Sequence, residues 1–216
     1  TGNAAVLGSF TLAQLNTAVS DADVASTAVA TATVSGLVPT PPNNTTTFLR
    51  GDATFAAPTA VGITLATPQA STSGTSITFG SIPAGTKRIV VMLTAVSTNG
   101  TSALLVQIGD TGGIETTGYT SRCSTENPSG ATSTAGFIVN AASAAASTFG
   151  GGITLNLANS TSFSWVSGGL LYDISGGTMQ FSAGIKSLSA ELTQLKITTV
   201  NGTDAFDAGE INISYE

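Results

Sequence analysis

The sequence predicts a mainly β protein, in which a C-terminal β-sandwich of jelly-roll type follows a short helical stalk and an extended connector. Three observations lead to this fold class. Short apolar segments alternate with polar residues, as at Ile153, Leu155 and Leu157. Glycine-rich turns separate these segments, and prolines interrupt the chain before the alternation begins. The predicted domains are a stalk over residues 1–35, a connector over 36–75 and a β-sandwich head over 76–216.

The stalk is predicted from a capping box and an apolar seam. Thr11 and Gln14 have the spacing of a capping box. The seam recurs at intervals of three and four residues and consists of Leu12, Leu15, Val19, Ala22, Ser26 and Val29. An isolated helix so rich in Thr, Ser and Val is marginal in water, so the seam favours association of identical helices in a trimeric stalk. A helix docked on its own domain and a disordered stretch remain alternatives.

The connector and the head differ in the residues that interrupt regular secondary structure. Gly36 and Pro39 end the helical pattern, and Pro41-Pro42 favours extended polyproline geometry. Strands are then predicted at Ile77–Phe79, Arg88–Ser97, Leu104–Gly109, Tyr119–Ser124, Gly136–Asn140, Gly152–Leu157, Ser162–Val166, Leu170–Asp173, Met179–Ile185, Leu195–Val200 and Glu210–Tyr215.

Glycine pairs predict where these strands turn. Asn99-Gly100 predicts a hairpin between the second and third strands, because Asn and Gly readily adopt the positive φ of a type I′ turn. Turns are expected between the later strands in the same way, at Gly168-Gly169, Gly176-Gly177 and Asn201-Gly202. Gly150 to Gly152 has no following Lys-Ser or Lys-Thr, so it is expected to be a turn and not a phosphate loop.

Composition limits the classes of function. Only 8% of the residues are charged, although 41% are hydrophobic, so the surface is expected to consist mostly of Ser, Thr, Asn, Gly and Ala. Such a surface favours an oligomer that covers part of each subunit. The net charge is −6 and the six basic residues are scattered, which argues against nucleic acid as a partner. No apolar run approaches the roughly 18 residues of a membrane span, so no membrane insertion is expected.

Few residues of this chain are of the types that catalyse reactions or bind metal ions. The chain has no histidine and a single cysteine, Cys123, so neither a disulfide framework nor an activated nucleophile is expected. Asp110 to Glu115 offers oxygens for a hard cation but lacks the ligand spacing of an EF-hand loop. The sequence therefore predicts no enzyme, no cofactor and no metal site.

Two charged motifs have both a functional and a structural interpretation. Arg50-Gly51-Asp52 matches an integrin-binding tripeptide, but it is better explained as a glycine turn whose charged side chains form ion pairs between subunits or cap backbone groups. Asp204, Asp207 and Glu210 form a carboxylate cluster of the kind that a glycosidase requires. A polar loop before the last strand is the preferred interpretation.

The segment GLVPTPPNNTTTFLRGDATF resembles the connector of tail-fibre proteins of tailed bacteriophages and prophages. The matching residues are Gly36, Leu37, Val38, Pro39, Phe48, Leu49, Arg50, Gly51, Asp52 and Thr54, whereas Ala53 and Phe55 depart from the usual glycine and tryptophan. The segments 87–119 and 207–216 also resemble those proteins, and the three together cover a little under a third of the chain.

The resemblance implies a homotrimeric fibre component of the virion, exposed to the extracellular medium. Its expected partners are other copies of the chain, other tail or baseplate proteins, and a glycan of the bacterial surface. The chain is expected to be a distal piece of a longer polypeptide. The alternatives are a structural fibre, a capsid-decorating spike or an adaptor without receptor binding, and a hydrolase of surface glycans.

Receptor contact is predicted in two loops, residues 110–118 and 122–134, because loops carry recognition on a rigid β scaffold. Aromatic rings stack on sugar C–H faces while polar side chains bind the hydroxyls. The candidate residues are Thr111, Gly112, Gly113, Glu115, Tyr119, Arg122, Glu126, Asn127, Trp165 and Tyr172. Each aromatic ring is alternatively a core residue, and Trp165 especially so, since it lies between Phe163 and Val166.

Overall fold

The computed structural model describes residues 42, 45–52, 54–58, 62–126, 130–141 and 144–216. The chain divides into two compact units, Thr1–Ala60 and Val61–Glu216. The described residues form strands and turns without a helix, and every strand pair is antiparallel. The prediction of a mainly β protein is confirmed. The predicted stalk, with Leu12, Leu15, Val19, Ala22 and Val29, lies outside the described residues.

The first unit contains a short hairpin of β1 (Phe48–Leu49) and β2 (Phe55–Ala56). The Arg50 backbone N–H donates to the Thr54 carbonyl across its turn, at 2.7 Å. The Asp52 carboxylate accepts from the Thr54 N–H at 3.1 Å and from the Thr54 hydroxyl at 2.7 Å, and the Arg50 Nε lies 3.8 Å from Asp52. Asp52 therefore caps backbone within this turn, which is one of the two structural roles expected for the tripeptide.

The described part of the second unit contains fourteen strands. They are β3 (Thr64–Leu65), β4 (Gln69–Ala70), β5 (Ser76–Phe79), β6 (Arg88–Thr98), β7 (Leu104–Asp110), β8 (Gly113–Ile114), β9 (Thr120–Thr125), β10 (Gly130–Ser133), β11 (Phe137–Ile138), β12 (Thr148–Asn159), β13 (Ser164–Asp173), β14 (Thr178–Ser187), β15 (Gln194–Thr199) and β16 (Phe206–Tyr215). Each strand predicted from the sequence overlaps one of these.

Two antiparallel sheets organise these strands. The larger sheet has nine strands in the order β10-β9-β14-β13-β12-β6-β16-β3, with β4 also paired to β16. The smaller sheet has five strands in the order β11-β7-β15-β5, with β8 paired to β7. Strands β12, β13 and β14 follow one another as a meander, whereas β9 reaches β14 from a distant part of the chain.

One apolar core contains side chains from both sheets. On β6 of the larger sheet, Ile89, Val91 and Leu93 alternate with less buried residues, as the period of two in a strand requires. Leu195 and Ile197 supply the equivalent inward positions on β15 of the smaller sheet. Full burial of each such side chain stabilises the fold by about 1.5–3 kcal/mol. The core therefore holds the two sheets together.

The boundary of the β domain differs from the prediction. The second unit starts at Val61, whereas the head was predicted to start at residue 76. The added segment contains β3 and β4, which both pair with β16, and a fully buried Ser71. These strands are only two residues long, and hydrogen bonds to a distant strand hold them in place. Local composition therefore could not reveal them.

The hairpin predicted at Asn99-Gly100 is wrong. Strands β6 and β7 lie in different sheets, so this turn carries the chain from one sheet to the other. Asn99 instead pairs with Ala205: its N–H donates to the Ala205 carbonyl and its side-chain oxygen accepts from the Ala205 N–H, each at 2.9 Å. The hydrogen-bond partner of Asn99 is thus more than one hundred residues away along the chain, and not in the next strand.

The glycine pairs divide into turns and strand positions. Gly177, with a φ of 69°, and Gly202, with a φ of 68°, lie in turns as predicted. Gly168-Gly169 lies inside β13, which joins two strands predicted separately, and Gly150 to Gly152 lies inside β12. Both predictions of a turn there are wrong, because pairing on both sides holds these glycines in the sheet.

Candidate functional site

The outer face of the nine-stranded sheet, opposite the core, exposes several large apolar side chains. On β13 they are Val166, Leu170 and Tyr172, and on β14 they are Phe181 and Ile185. Each is between 39% and 54% exposed. The pairing register places Val166 opposite Ile185 and Leu170 opposite Phe181, so the exposed side chains form one continuous surface. An exposed apolar patch of this kind marks an interaction site more often than a single exposed residue does.

A groove of about 500 Å³ lies at one end of this outer face. Strands β9, β10, β13 and β14 form it, together with Tyr119 and Thr134. Its residues are Tyr119, Thr120, Ser121, Arg122, Thr132, Ser133, Thr134, Val166, Ser167, Ala183, Gly184 and Ile185. The volume falls within the roughly 300–1,000 Å³ of small-molecule sites. Aliphatic side chains with hydroxyl groups around them suit a ligand that has both apolar faces and hydrogen-bonding groups.

Arg122 is the one cation that lines the groove among the described residues. It lies on β9 between Thr132 of β10 and Ala183 of β14, and it is exposed. No carboxylate of the described residues lies within ion-pair distance of its guanidinium. Its guanidinium is therefore available to a carboxylate or to the hydroxyls of a ligand.

Tyr119 is a core residue and not a surface aromatic. Its hydroxyl accepts from the Ile108 N–H at 2.8 Å and is 3.0 Å from the Glu115 carbonyl. Its ring packs edge-on against Phe137, with 5.0 Å between the centroids, and the Lys186 Nζ lies 5.2 Å from its centroid. Burial raises the pKa of Tyr119 above its ordinary value of 10. The ring anchors the loop after β8 and cannot stack on a sugar.

Trp165 is also buried, with 1% of its surface exposed. It points into the core from β13, because it alternates with the exposed Val166. Its indole Nε1 has no hydrogen-bond partner among the residues that the structure describes. The expectation that Trp165 and Tyr119 contact a glycan is therefore corrected, and the alternative that each belongs to the core is confirmed.

The predicted loop 110–118 is ordered by Asp110. Its carboxylate accepts from the Gly112 N–H at 2.8 Å, the Ser189 hydroxyl at 2.6 Å and the Ala190 N–H at 3.0 Å. The Ser189 hydrogen bond, followed by that from Gly112, holds the pKa of Asp110 below its ordinary value of 3.8. Thr111 and Gly112 are exposed, and Gly113 belongs to β8. The described residues contain no group of carboxylates or thiols arranged to hold a metal ion.

Glu115 lies in the same loop, directly after β8. Its carboxylate lies 2.8 Å from the Nζ of Lys186, whose side chain is buried. Lys186 follows the groove residue Ile185 on β14 and points to the opposite face. The pair therefore joins the loop to the sheet that forms the groove, and Glu115 is engaged with the protein itself.

The remaining candidates are spread over the molecule. Tyr172 is 43% exposed and lies on the outer face, toward the opposite end of β13 from the groove. Glu126 is exposed just after β9, and Asn127 lies outside the described residues. The predicted loop 122–134 is largely the pair of strands β9 and β10. Of the ten candidate residues, the structure brings Tyr119 and Arg122 together at the groove.

Several groove residues were not predicted. Val166, Ala183 and Ile185 supply its aliphatic surface and Thr120 supplies a hydroxyl group, whereas Thr132 and Thr134 lie within the predicted loop 122–134. Alternation alone places these side chains on the outer faces of their strands. That the strands lie side by side depends on the pairing of β9 with β14, which no local pattern indicates.

The other groups considered for chemistry are engaged elsewhere. Cys123 is buried, and burial raises the pKa of its thiol above 9, which disfavours the reactive thiolate. Asp204 accepts from the Asn201 amide at 2.6 Å and from the Ser102 N–H at 2.9 Å, and the Asn201 hydrogen bond is the main reason that its pKa is lowered. Asp204 therefore orders a polar loop, in accord with the preferred interpretation of that cluster.

Comparison of the chain with protein-family models, with curated proteins and with solved structures finds no match. Among the described residues, no helix has the length and apolar character needed to cross a membrane.

Proposed function

We propose that this chain is the distal part of a bacteriophage tail fibre, a homotrimer whose β-sandwich heads, of jelly-roll type, bind a polysaccharide of the bacterial surface. The observation that carries the proposal is the groove on the outer face, with its unpaired Arg122 and its aliphatic surface. The resemblance of residues 36–55 to fibre connectors supports the choice of particle.

The groove suits a sugar chain by its chemistry. Thr120, Thr132 and Thr134 line the groove and carry hydroxyls that can exchange hydrogen bonds with sugar hydroxyls, and Arg122 can donate to ring substituents or acidic groups. Val166 and Ile185 provide apolar contact for C–H faces. A single groove of this kind binds weakly, so three heads on each of several fibres are needed for firm adhesion.

The test is adsorption of the purified protein to host cells and to their isolated polysaccharide. Arg122→Ala is expected to weaken binding by about tenfold to a hundredfold, the effect of about 1.5–3 kcal/mol for a hydrogen bond to a charged group. Lys87→Ala is the matched control, because it removes the same charge from an exposed position outside the groove. Equal binding by both variants and the unaltered chain would place the receptor site elsewhere.

The proposed adhesion is non-enzymatic. Incubation of the protein with capsule or lipopolysaccharide is expected to release no new reducing ends. If reducing ends appear, and if a double variant Asp207→Asn, Glu210→Gln no longer releases them, the chain is a glycan hydrolase and the proposal fails.

One observation favours a second candidate function. Among the described residues of the groove, the one aromatic side chain is the buried Tyr119, so a stacking platform for a sugar ring is missing. A fibre, spike or adaptor of the virion that binds no receptor would need no such platform. Gold labelling of intact particles separates the two, since labels at the tail tip support the receptor-binding fibre and labels on the head support the decorating spike.

A further inference from the structure

Arg122 brings a positive charge to the groove, and the fold leaves this charge without a counter-ion. All six basic residues of the chain lie in the part that the structure describes. Three of them form ion pairs, namely Arg50 with Asp52, Arg88 with Glu216 and Lys186 with Glu115. Of the remaining three, Arg122 alone lines the groove, and the described residues that line it include no carboxylate. The groove therefore presents one uncompensated positive charge.

We propose that the groove binds an acidic polysaccharide, and that Arg122 recognises the carboxylate of one of its sugars, as in a uronic acid. This inference rests on the proposed function and names the class of glycan. A guanidinium matches a carboxylate because two parallel N–H donors reach its two oxygens. Such charge-assisted hydrogen bonds are roughly twice as strong as those between neutral groups.

The lack of an aromatic platform favours an acidic sugar over a neutral one. An exposed aromatic ring is the surface on which the C–H face of a neutral sugar stacks. Among the described residues of the groove the one aromatic side chain is that of Tyr119, which is buried. Affinity therefore has to come from another contact, and an ion pair with Arg122 is the strongest that the lining residues offer.

The guanidinium of Arg122 lies at the edge of the nine-stranded sheet. A Cβ at Gly130 on β10 would approach its Nη2 to 3.1 Å, and β10 is the outermost strand in the pairing order. Glu126 follows on the same segment, four residues after Arg122, so at about 3.3 Å per residue the two backbone positions are about 13 Å apart. That separation exceeds the screening length of about 8 Å at physiological salt, so Glu126 leaves the charge of Arg122 largely uncompensated.

A row of small residues leads across the sheet from Arg122. The register places Arg122 opposite Ala183 on β14, and Ala183 opposite Gly168 on β13. A Cβ at Gly168 would meet nothing within 4 Å. The rows on either side have larger apolar side chains, Val166 with Ile185 on one side and Leu170 with Phe181 on the other. A chain of sugars can therefore place a carboxylate at Arg122 and continue along the lower row between them.

The test uses surface polysaccharide from cells to which the chain adsorbs, before and after reduction of its carboxyl groups. Carbodiimide activation followed by borohydride converts each carboxylate to a primary alcohol, so the polymer loses its negative charge. The full, unaltered chain is expected to bind the reduced polymer about tenfold to a hundredfold more weakly than the native one, which is the effect of a hydrogen bond between charged groups. Equal binding of the two polymers would overturn the inference.

A substitution connects the lost charge to Arg122. Arg122→Gln keeps amide donors but removes the charge, so it is expected to bind both polymers equally, as weakly as the unaltered chain binds the reduced one. Lys87→Gln is the matched control, because it removes a charge from an exposed position outside the groove, and it is expected to keep the preference for the native polymer. If Arg122→Gln keeps that preference in full, the carboxylate is bound elsewhere and the inference fails.

The outcomes separate this inference from the proposed function. If carboxyl reduction has no effect but Arg122→Ala weakens binding, the groove binds a neutral glycan, so the inference fails while the adhesion proposal stands. If removal of phosphate with aqueous hydrofluoric acid abolishes binding and carboxyl reduction does not, the recognised anion is a phosphate and the inference also fails. If the chain binds neither the native nor the reduced polysaccharide, the adhesion proposal fails as well.

Discussion

At the scale of single residues, buried polar groups order the loops of the β domain. Asp110 is 3% exposed, but three donors surround its carboxylate and stabilise the ionised form. Tyr119 performs a similar task with a neutral hydroxyl, which bonds both β7 and the loop after β8. These residues were considered for a cation or a glycan, and the structure shows instead that they connect one chain segment to another.

The lowered pKa of Asp110 predicts how stability depends on pH. Because its pKa in the fold is below the ordinary value of 3.8, the ionised carboxylate adds stability above about pH 3.8, and this contribution is lost as the pH falls through the folded pKa. Ser189→Ala removes the hydrogen bond that lowers the pKa most. It is expected to reduce the free energy of unfolding at pH 6 by about 1–2 kcal/mol, and by less once the pH falls below the folded pKa of Asp110, where the carboxyl is protonated.

Urea denaturation at a series of pH values measures this difference. Ser73→Ala, at an exposed serine of the same domain, is the control and is expected to be neutral at every pH. A loss of stability in Ser189→Ala that does not change as the pH falls through the folded pKa would show that the effect is packing and not the charge of Asp110.

At the scale of elements, strand β12 shows how a long sheet strand accommodates a bulge. Its register with β6 shifts between Phe149 and Gly151, and Gly151 has a φ of 138°, which favours glycine. A Cβ at Gly151 would clash with the Leu170 carbonyl oxygen of β13. The clash with the backbone of β13 and the unfavourable φ each disfavour a side chain at this position.

Gly151→Ala is therefore expected to destabilise the β domain by about 2 kcal/mol or more, because strain at a special φ adds to a backbone clash. Gly168→Ala is the matched control in the adjacent strand, where a Cβ meets nothing within 4 Å and φ is not in the left-handed region. Thermal melts of the two variants compare them directly. Equal melting temperatures would mean that the bulge relaxes at no cost.

At the scale of the whole molecule, the β domain depends on a segment that precedes its first long strand. The Ser71 N–H donates to the Gly209 carbonyl at 2.9 Å, and its hydroxyl donates to the Ala208 carbonyl at 2.8 Å. The Ala66 N–H donates to the Ile213 carbonyl at 2.9 Å. The segment thus covers part of β16 and satisfies its backbone groups, which an uncovered edge would leave to solvent or to another chain.

Two truncations test this dependence. A chain that starts at residue 61 is expected to keep a cooperative melt close to that of the β domain in the full chain. A chain that starts at residue 76 lacks β3, β4 and Ser71, and it is expected to melt about 5–10 °C lower, since each lost net hydrogen bond costs about 1 kcal/mol and each kcal/mol shifts the melting temperature by roughly 2–4 °C. Identical melts of the two fragments would support the boundary predicted from the sequence.

The sequence by itself determined which segments become strands and which faces of those strands are apolar. The alternation of Ile153 and Leu155, or of Ile211 and Ile213, depends only on the period of two, which each strand carries within itself. The same local information correctly placed the turn at Gly177 and excluded a metal or acid–base centre built on histidine. It failed at Asn99-Gly100, where a distant partner decides the turn.

Only the tertiary structure decided which strands are neighbours, and the groove depends on that choice. Arg122 and Ile185 meet because β9 pairs with β14 across some sixty residues of chain, and Trp165 lies in the core because the smaller sheet covers its side of β13. Strand pairing is stabilised by contacts between distant segments, so its energy appears only when both partners are present. For that reason the sequence predicted the strands well, and the groove became visible only in the folded domain.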